Sequence, residues 1–547
     1  MCEFRLVSCL EKVFYDETPE RLSLPPEGLW GEEAAFQAAW KGDTETDRSM
    51  VKLTVVSPLA PYIRIYSVKH VPVGYAAPAE CDDNYLRKTP GLYPDCLVEA
   101  ETVRLRLYRN RWESAWFSVS VPESVPAGKY PIKVSLTGED GAVIASEETS
   151  YTLIGAPLPA QTLIHTRWFH CDGLCSYYNV KMFSEEFWRI CESFMRAAAD
   201  MSVNCILTPV HTPPLDTKVG GERLTCQLVD IVKCGDEYSF GFQKLRRWIE
   251  LAQSAGIRYF EIAHLFTQWG ALHAPKIIAI VDGVEKRIFG WETDAAGEEY
   301  RHFLTQYLAA LRGELKELGV LDRCFFHISD EPSKEQIDGY LKAKEGAAEA
   351  LRGLNVIDAL SDIEFYNRGA VAKPVPSTNH IKPFLERQVP DLWTYYCCGQ
   401  HTDVSNGFIA MPSARTRIIG LQMYKYDIRG FLQWGFNFYN SQFSEYPINP
   451  YITTDGDGFS PAGDCFIVYP GPDGKALPSL RAKLFRQAVQ DIGALRLLEA
   501  YTGREQVVKL MEDGIAPIGF DRYPASPDYI LRLRHRVNAL IGGFAAK

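Results

Sequence analysis

Two carboxylates stand side by side, Asp330 and Glu331, at the end of the run Cys324-Phe325-Phe326-His327-Ile328-Ser329 and just before Pro332. The apolar and aromatic start of that run reads as a buried strand, and the proline stops it. Two acids at one strand tip repel each other. One is held ionised while the pKa of its neighbour rises, so that the neighbour keeps a proton to donate. Such a pair can do general acid–base chemistry; its other possible use is as an N-cap pair in a solvated loop. His327 precedes the pair, His264, His211 and His170 close other apolar runs, and Trp393, Tyr395, Trp434 and Asn437 lie on two more. Aromatic rings and short polar groups around an acid pair suit a saccharide, because rings stack on apolar sugar faces and polar groups fix hydroxyls. Against a metal, His170, His211 and His264 lack the i, i+4 spacing of a helical ligand pair. Neither Cys171 with Cys175 nor Cys397-Cys398 has a second half for zinc. Thr454-Asp455-Gly456-Asp457-Gly458 lacks the closing Glu of a calcium loop and reads as a turn. No metal and no cofactor is expected.

The acid pair needs a strand to carry it and helices to hold that strand. Before it, Phe303, Leu304, Leu308, Leu311, Leu315 and Leu318 repeat at helical spacing. After it, Ser333 is placed to cap a helix beginning at Lys334. Helix, strand, acidic tip, helix is the rhythm of a parallel α/β barrel, whose chemistry sits at the carboxyl ends of its strands. Eight candidate strands follow one another: 162–169, 204–210, 259–265, 324–329, 356–360, 392–397, 430–438 and 465–469. Helical patterns separate most of them, at 185–200, 242–255, 300–318, 335–351 and 413–426, with a last one at 480–500. The interval 364–389, with Pro374, Pro376 and Pro383, is the least helical. The prediction is a (β/α)8 TIM-like barrel over 158–500. Its rim then holds Trp168 and His170, His211, His264 and Trp269, the His327–Glu331 tip, Ser361 and Asp362, Trp393 and Tyr395, and Trp434 and Asn437. Residues 1–157 alternate apolar and polar between turn signals and predict an all-β sandwich, with its Arg and Lys on a wet face. Gly155-Ala156-Pro157-Leu158-Pro159 reads as the linker. Residues 501–547 predict a short helical extension with Arg532, Arg534 and Arg536 on an exposed face.

Composition narrows the class. With 547 residues, 46% of them apolar and 23% charged, the chain is a soluble globular protein of two or three domains. A net charge of −11 with no basic block argues against nucleic acid. No apolar run approaches the roughly 18 residues of a membrane helix. The start, Met1-Cys2-Glu3-Phe4-Arg5, has no basic head before an apolar run, so no signal peptide is read. The 14 scattered Cys read as reduced core residues, and a cytoplasmic location is expected. As strand neighbours, Cys397 and Cys398 are expected to face opposite ways.

Several motifs carry a resemblance. Ile328-Ser329-Asp330-Glu331-Pro332 resembles the Asp-Glu strand-end motif of glycoside hydrolase family 123 and of the related family catalogued as domain of unknown function 4091. Gly91-Leu92-Tyr93-Pro94-Asp95-Cys96-Leu97, Trp116 to Pro122 and Pro126 to Tyr130 look like that family's sandwich. Gly430 to Asn437 resembles its late barrel strand, and Gly456-Asp457-Gly458, Tyr469-Pro470-Gly471 and Pro478-Ser479-Leu480-Arg481 its closing segment. The likeness covers most of residues 90–500. It implies a retaining exo-β-N-acetylgalactosaminidase, of β-N-acetylhexosaminidase type, that uses the 2-acetamido group of its substrate. In that scheme Asp330 orients the amide and Glu331 is the acid and then the base. Trp393 and Trp434 line the sugar subsite, Tyr395 bonds the acetamide, Asn437 a hydroxyl, and His327, His264 and His211 stand near the substrate. The partner implied is a glycan with a terminal β-linked amino sugar; a homo-oligomer is allowed. Two alternatives stay open. One is a conventional two-carboxylate glycosidase with Glu261 or Asp362 as second acid, and the other a non-catalytic carbohydrate-binding barrel.

Overall fold

The computed structural model describes residues 2–100 and 103–546. The N-terminal part is a two-sheet β-sandwich, each sheet of five strands. In the first sheet Glu3–Ser8, Glu33–Lys41, Glu113–Ser120, Ile63–Val73 and Gly91–Glu99 pair antiparallel in that order. The second runs Glu27–Trp30, Val143–Pro157, Gly128–Gly138, Met50–Val56 and Val103–Arg106. Alternation puts Phe36 and Phe117 between the sheets, stacked at 4.8 Å, with Leu53, Val134 and Leu136 packed beside them. The first sheet is not wet on its other face. Tyr66, Val68, Tyr93, Leu97 and Trp116 point away from the sandwich core and join the core of the second part.

That second part is a parallel barrel of eight strands. They are β1 (Ile164–Arg167), β2 (Cys205–Thr208), β3 (Tyr259–Ile262), β4 (Cys324–Phe326), β5 (Asn355–Ala359), β6 (Lys373–Val375), β7 (Trp393–Tyr395) and β8 (Gly430–Gln433). Each pairs with the next, and β8 returns to β1. Only the β6–β7 seam is thin, closed by a bridge between Ser377 and Tyr395. Two expectations are corrected here. The segment 465–469 is not a barrel strand: Val468–Pro470 forms a hairpin with Ala476–Pro478 beside the sandwich. The missing strand is β6, in the proline-rich interval. Pro374 has no N–H to give a ladder, and it is accommodated because β6 is three residues long and borders the open seam.

Helices cover the barrel where the sequence periodicity placed them. Glu185–Asp200 starts at Ser184, whose Oγ accepts the Phe187 N–H at 3.3 Å, and buries Phe187, Ile190, Cys191 and Phe194. Gln243–Ala255 and Glu298–Glu317 follow the same logic. An unexpected four-stranded sheet, built from the hairpins Asp230–Gly241 and Ile277–Phe289, covers the β2 and β3 side. Its second turn, Asp282-Gly283, is left-handed at both residues (φ 54° and 79°), which is the tight hairpin signature. Leu480–Thr502 wedges between barrel and sandwich: Arg481 forks onto Asp95 of strand Gly91–Glu99 with two bonds of 2.9 Å. The last helix, Pro527–Ala545, lies against Val143–Pro157. Its Arg534 is not on an exposed face; it is buried and pairs with Glu32 at 2.7 Å and Asp491 at 3.2 Å, whereas Arg532 and Arg536 are exposed. Among the described residues no helix is long and apolar enough to cross a membrane. All fourteen cysteines are free thiols, most of them buried.

Candidate active site

Beyond Phe326 the chain stays pinned on both sides. The backbone N–H groups of Leu265, Phe266 and Trp269 donate to the carbonyls of His327, Ile328 and Asp330. On the β5 side, Ile328 N–H donates to the Asp358 carboxylate at 2.9 Å and Glu331 N–H to Ala359 O at 3.0 Å. Adjacent residues of a straight strand would point to opposite faces. Glu331 instead has φ 43°, a left-handed conformation costly for a residue with a long side chain. That turn lets both acids reach one cavity.

The cavity measures about 220 Å³ and opens at the carboxyl ends of the strands. Trp168, Trp269, Trp434, Tyr395, Phe443 and Phe459 wall it, and Asp330, Glu331, Asp216 and Gln268 supply polar groups. Drug-sized ligands fill roughly 300–1,000 Å³, so a single sugar ring is the fitting scale. A larger open groove of about 840 Å³ runs between sandwich and barrel, past Lys52, Arg64 and Arg486, away from the acid pair.

Hydrogen bonds lock the walls. Tyr395 OH donates to Glu331 Oε1 at 2.5 Å. Trp434 Nε1 donates to Asp464 at 2.9 Å, which also accepts Ser460 Oγ at 3.0 Å. Trp168 Nε1 donates to Glu261 at 2.8 Å. Glu261 in turn accepts from Thr166 and, at 2.7 Å, from His327 Nε2. The other ring nitrogen of His327 faces Asp358 at 3.4 Å, and Asp358 is held by Tyr340. Burial alone would lower the His327 pKa, but the bonds to Asp358 and Glu261 and their charges push it up to about 9. His327 thus sits beneath the acid pair between two carboxylates that favour its protonated form.

Burial first, then the charges of Glu331 and Asp216, raise the Asp330 pKa well above the carboxylate range, against the pull of His327. Burial also raises Glu331, but the Tyr395 hydroxyl opposes it. The two are recessed yet open on the cavity, and because each raises the cost of ionising the other they titrate as a pair. Asp216 is pushed up to about 7, mainly by burial and less by Glu331 and Asp464, with Arg223 opposing.

Of the residues singled out in the sequence, Asp330, Glu331, Tyr395 and Trp434 converge on the cavity. Trp168 and Trp269, named for the rim, join them, and the other residues given a site role lie elsewhere. His327 sits a layer below, with His264 stacked on it at 4.1 Å. His211 Nε2 donates to His264 O at 2.8 Å, and both histidines are fully buried. Trp393 packs on Phe325 at 4.9 Å under β8, inside the barrel. The Asn437 amide is consumed by the backbone of His170, at 2.8 and 3.1 Å. Glu261 is wholly buried in the network just described, and Asp362 caps a turn through Glu364 N–H. Cys397 and Cys398 both line the cavity, because the chain leaves the strand at Tyr395. Trp168 and Trp269 were legible as rim aromatics. Asp216, Gln268, Phe443 and Phe459 sit on loops without periodicity and carried no signal.

Fold and site define an α/β-barrel protein with a paired-carboxylate pit at its carboxyl rim, preceded by a β-sandwich. The family model described as "Glycoside hydrolase 123, catalytic domain" matches residues 168–498, and the chain belongs to that family of glycoside hydrolases. A solved family 123 glycoside hydrolase from Clostridium perfringens, described for glycolipid glycan hydrolysis, is 15% identical. The match covers 100% of this chain and 99% of that one, with a TM-score of 0.73, and shows a common fold. A Parabacteroides merdae β-glucuronidase is 12% identical over 89% of this chain and 51% of its own, at a TM-score of 0.32, too loose a likeness to argue from. No curated protein sequence matches the chain.

Proposed function

We propose that this glycoside hydrolase is a retaining exo-β-N-acetylhexosaminidase of the N-acetylgalactosaminidase type, with the 2-acetamido group of its substrate as nucleophile. One observation carries the reading: the cavity's two neighbouring acids, Asp330 and Glu331, are adjacent in sequence on one strand tip. Conventional retention needs two carboxyl groups about 5–5.5 Å apart across the glycosidic bond, and inversion about 6.5–9.5 Å. Neighbours on one tip approach the sugar from the same side and suit the assisted route. The acetamide oxygen attacks C1 as Glu331 protonates the leaving glycosidic oxygen. The C1–O bond breaks and an oxazolinium ring closes. Asp330 accepts the amide N–H and balances the developing positive charge. Water then attacks C1, Glu331 takes its proton, the ring opens, and the β configuration is retained. The amide N–H stabilises ionised Asp330, and the negative charge of Asp330 helps keep the proton on Glu331, which has to donate it. Trp168 and Trp434 offer ring faces to the sugar. The Clostridium relative acts on glycolipid glycan, and a glycan ending in a β-linked amino sugar is the substrate class proposed here.

Nitrophenyl glycosides test this directly. Turnover of 2-acetamido sugars without turnover of their 2-hydroxy counterparts is expected, and D330N and E331Q should each lose about 10²–10⁴-fold in kcat. Azide should not restore D330N through an inverted adduct. Equal turnover of 2-hydroxy sugars would sink the assisted route. Asp216, the one further acid beside the pair in the cavity lining, would then be the candidate second carboxylate.

A further inference from the structure

Asp216 and Gln268 stand in the cavity wall and are not used by this mechanism. Asp216 lies on the loop after β2, in a left-handed conformation (φ 45°), and its carboxylate lines the cavity. Among the described residues no side chain or backbone group hydrogen-bonds to that carboxylate. Arg223, the opposing charge, is taken up by Asp172 at 2.8 Å. The Asp216 loop is fixed from two sides: Ser444 Oγ donates to Asp216 O at 2.7 Å, and Asp216 N–H donates to Gln268 Oε1 at 2.7 Å. A backbone N–H can only donate, so the atom it meets must be the amide oxygen, and the orientation of the Gln268 side chain is set. Its Nε2 is then turned the other way, buried, and without a partner. Gln268 also lines the cavity. A free acceptor and a buried, unpartnered donor thus stand next to each other on a rigid wall.

The polar groups of three of the aromatic walls are committed. Tyr395 OH is on Glu331, Trp434 N–H on Asp464 and Trp168 N–H on Glu261. With Asp330 taking the C2 amide and Glu331 the C1 oxygen, the loops after β3 and β2, next along the rim from the β4 tip, meet the ring beyond C2. That side carries the 3- and 4-hydroxyls. A hydroxyl is donor and acceptor at once, which is what a carboxylate beside an amide NH₂ satisfies.

We propose that Asp216 and Gln268 bind the 3- and 4-hydroxyls of the sugar and decide the configuration accepted at C4. The orientation rests on the acetamide reading above; the contact itself does not. The test is a coupling experiment on the full chain, with wild type, D216A, near-isosteric D216N and Q268L. Each is assayed for kcat/KM on nitrophenyl 2-acetamido galactoside, its gluco epimer, and the 3-deoxy and 4-deoxy galactosides. Wild type should lose about 30- to 100-fold on removal of a contacted hydroxyl, as for a hydrogen bond to a charged group. In D216A the same removal should cost less than about 3-fold, and both D216N and Q268L should narrow the galacto–gluco ratio. Deoxygenation penalties unchanged in D216A, D216N and Q268L would overturn the proposal. So would azide rescue of D216A through an anomerically inverted azide, which would make Asp216 the nucleophile. If 2-hydroxy sugars are turned over as well as acetamido sugars, the mechanism falls; the hydroxyl coupling, measured on those same sugars, still stands or fails by itself.

Discussion

Tyr395 and Glu331 show how one hydroxyl tunes the acid. The 2.5 Å bond from Tyr395 favours the ionised form of Glu331 and opposes the rise caused by burial. Y395F removes that opposition, so the Glu331 pKa rises further. The alkaline limb of kcat/KM, where the acid loses its proton, should then move to higher pH, and kcat should fall about 10-fold as the carboxyl loses its anchor. A pH–rate profile with an unmoved alkaline limb would exclude this tuning. A second expectation concerns His327. Its positive charge lowers the pKa of Asp330 from below. H327Q should therefore raise the Asp330 pKa and shift the acid limb of kcat/KM upward in pH, since more base is needed to ionise the group that takes the amide. At this scale the acid pair was legible because adjacent acids after an apolar run have few cheap explanations. His264, His211, Trp393 and Asn437 were not separable from site residues, because a side chain at a strand end can point into the barrel, or back to the backbone, as readily as into the cavity.

Elements hold the site through close approaches that leave no room for a side chain. Gly435, just past β8, sits where a Cβ would overlap the carbonyl oxygens of Asp464 and Cys465. Asp464 carries the Trp434 indole, so G435A should push the cavity wall outward. Backbone atoms cannot swing aside as a flexible side chain can, and overpacking of this kind costs about 1–3 kcal/mol or more. The expectation is a lowered melting temperature together with a raised KM, read by calorimetry and initial rates; a normal KM would mean the wall does not depend on this contact. Helices were legible almost to the residue where apolar spacing was regular, as in Glu298–Glu317. β6 was not, since three residues with a central proline contain no period to read. The Asp282-Gly283 hairpin had a readable turn, but short flanking runs between two barrel strands resemble ordinary loop.

Sandwich and barrel share a core, and a charged pair is sealed within it. Asp95 and Arg481 are almost fully buried, and Asp95 also accepts from Tyr469 OH at 2.6 Å. Removing one partner strands the other charge, which costs about 3–5 kcal/mol. D95A should therefore destabilise both parts together, seen as a single transition at lower denaturant by fluorescence and by circular dichroism. Two separated transitions would show that the interface is not what couples them. Seven of the eight barrel strands, most of the helices, the sandwich ahead of the barrel and the acid pair at a strand tip were legible in the sequence itself, because local periodicity and turn residues act over a few neighbours. Which aromatics wall the pit, that Glu331 turns left-handed to join Asp330, and that Asp216 and Gln268 meet them from the two preceding loops were decided only by the tertiary structure. Closing a sheet into a barrel brings together loops more than a hundred residues apart, and the chain's local pattern holds no information about which loop tip will face which.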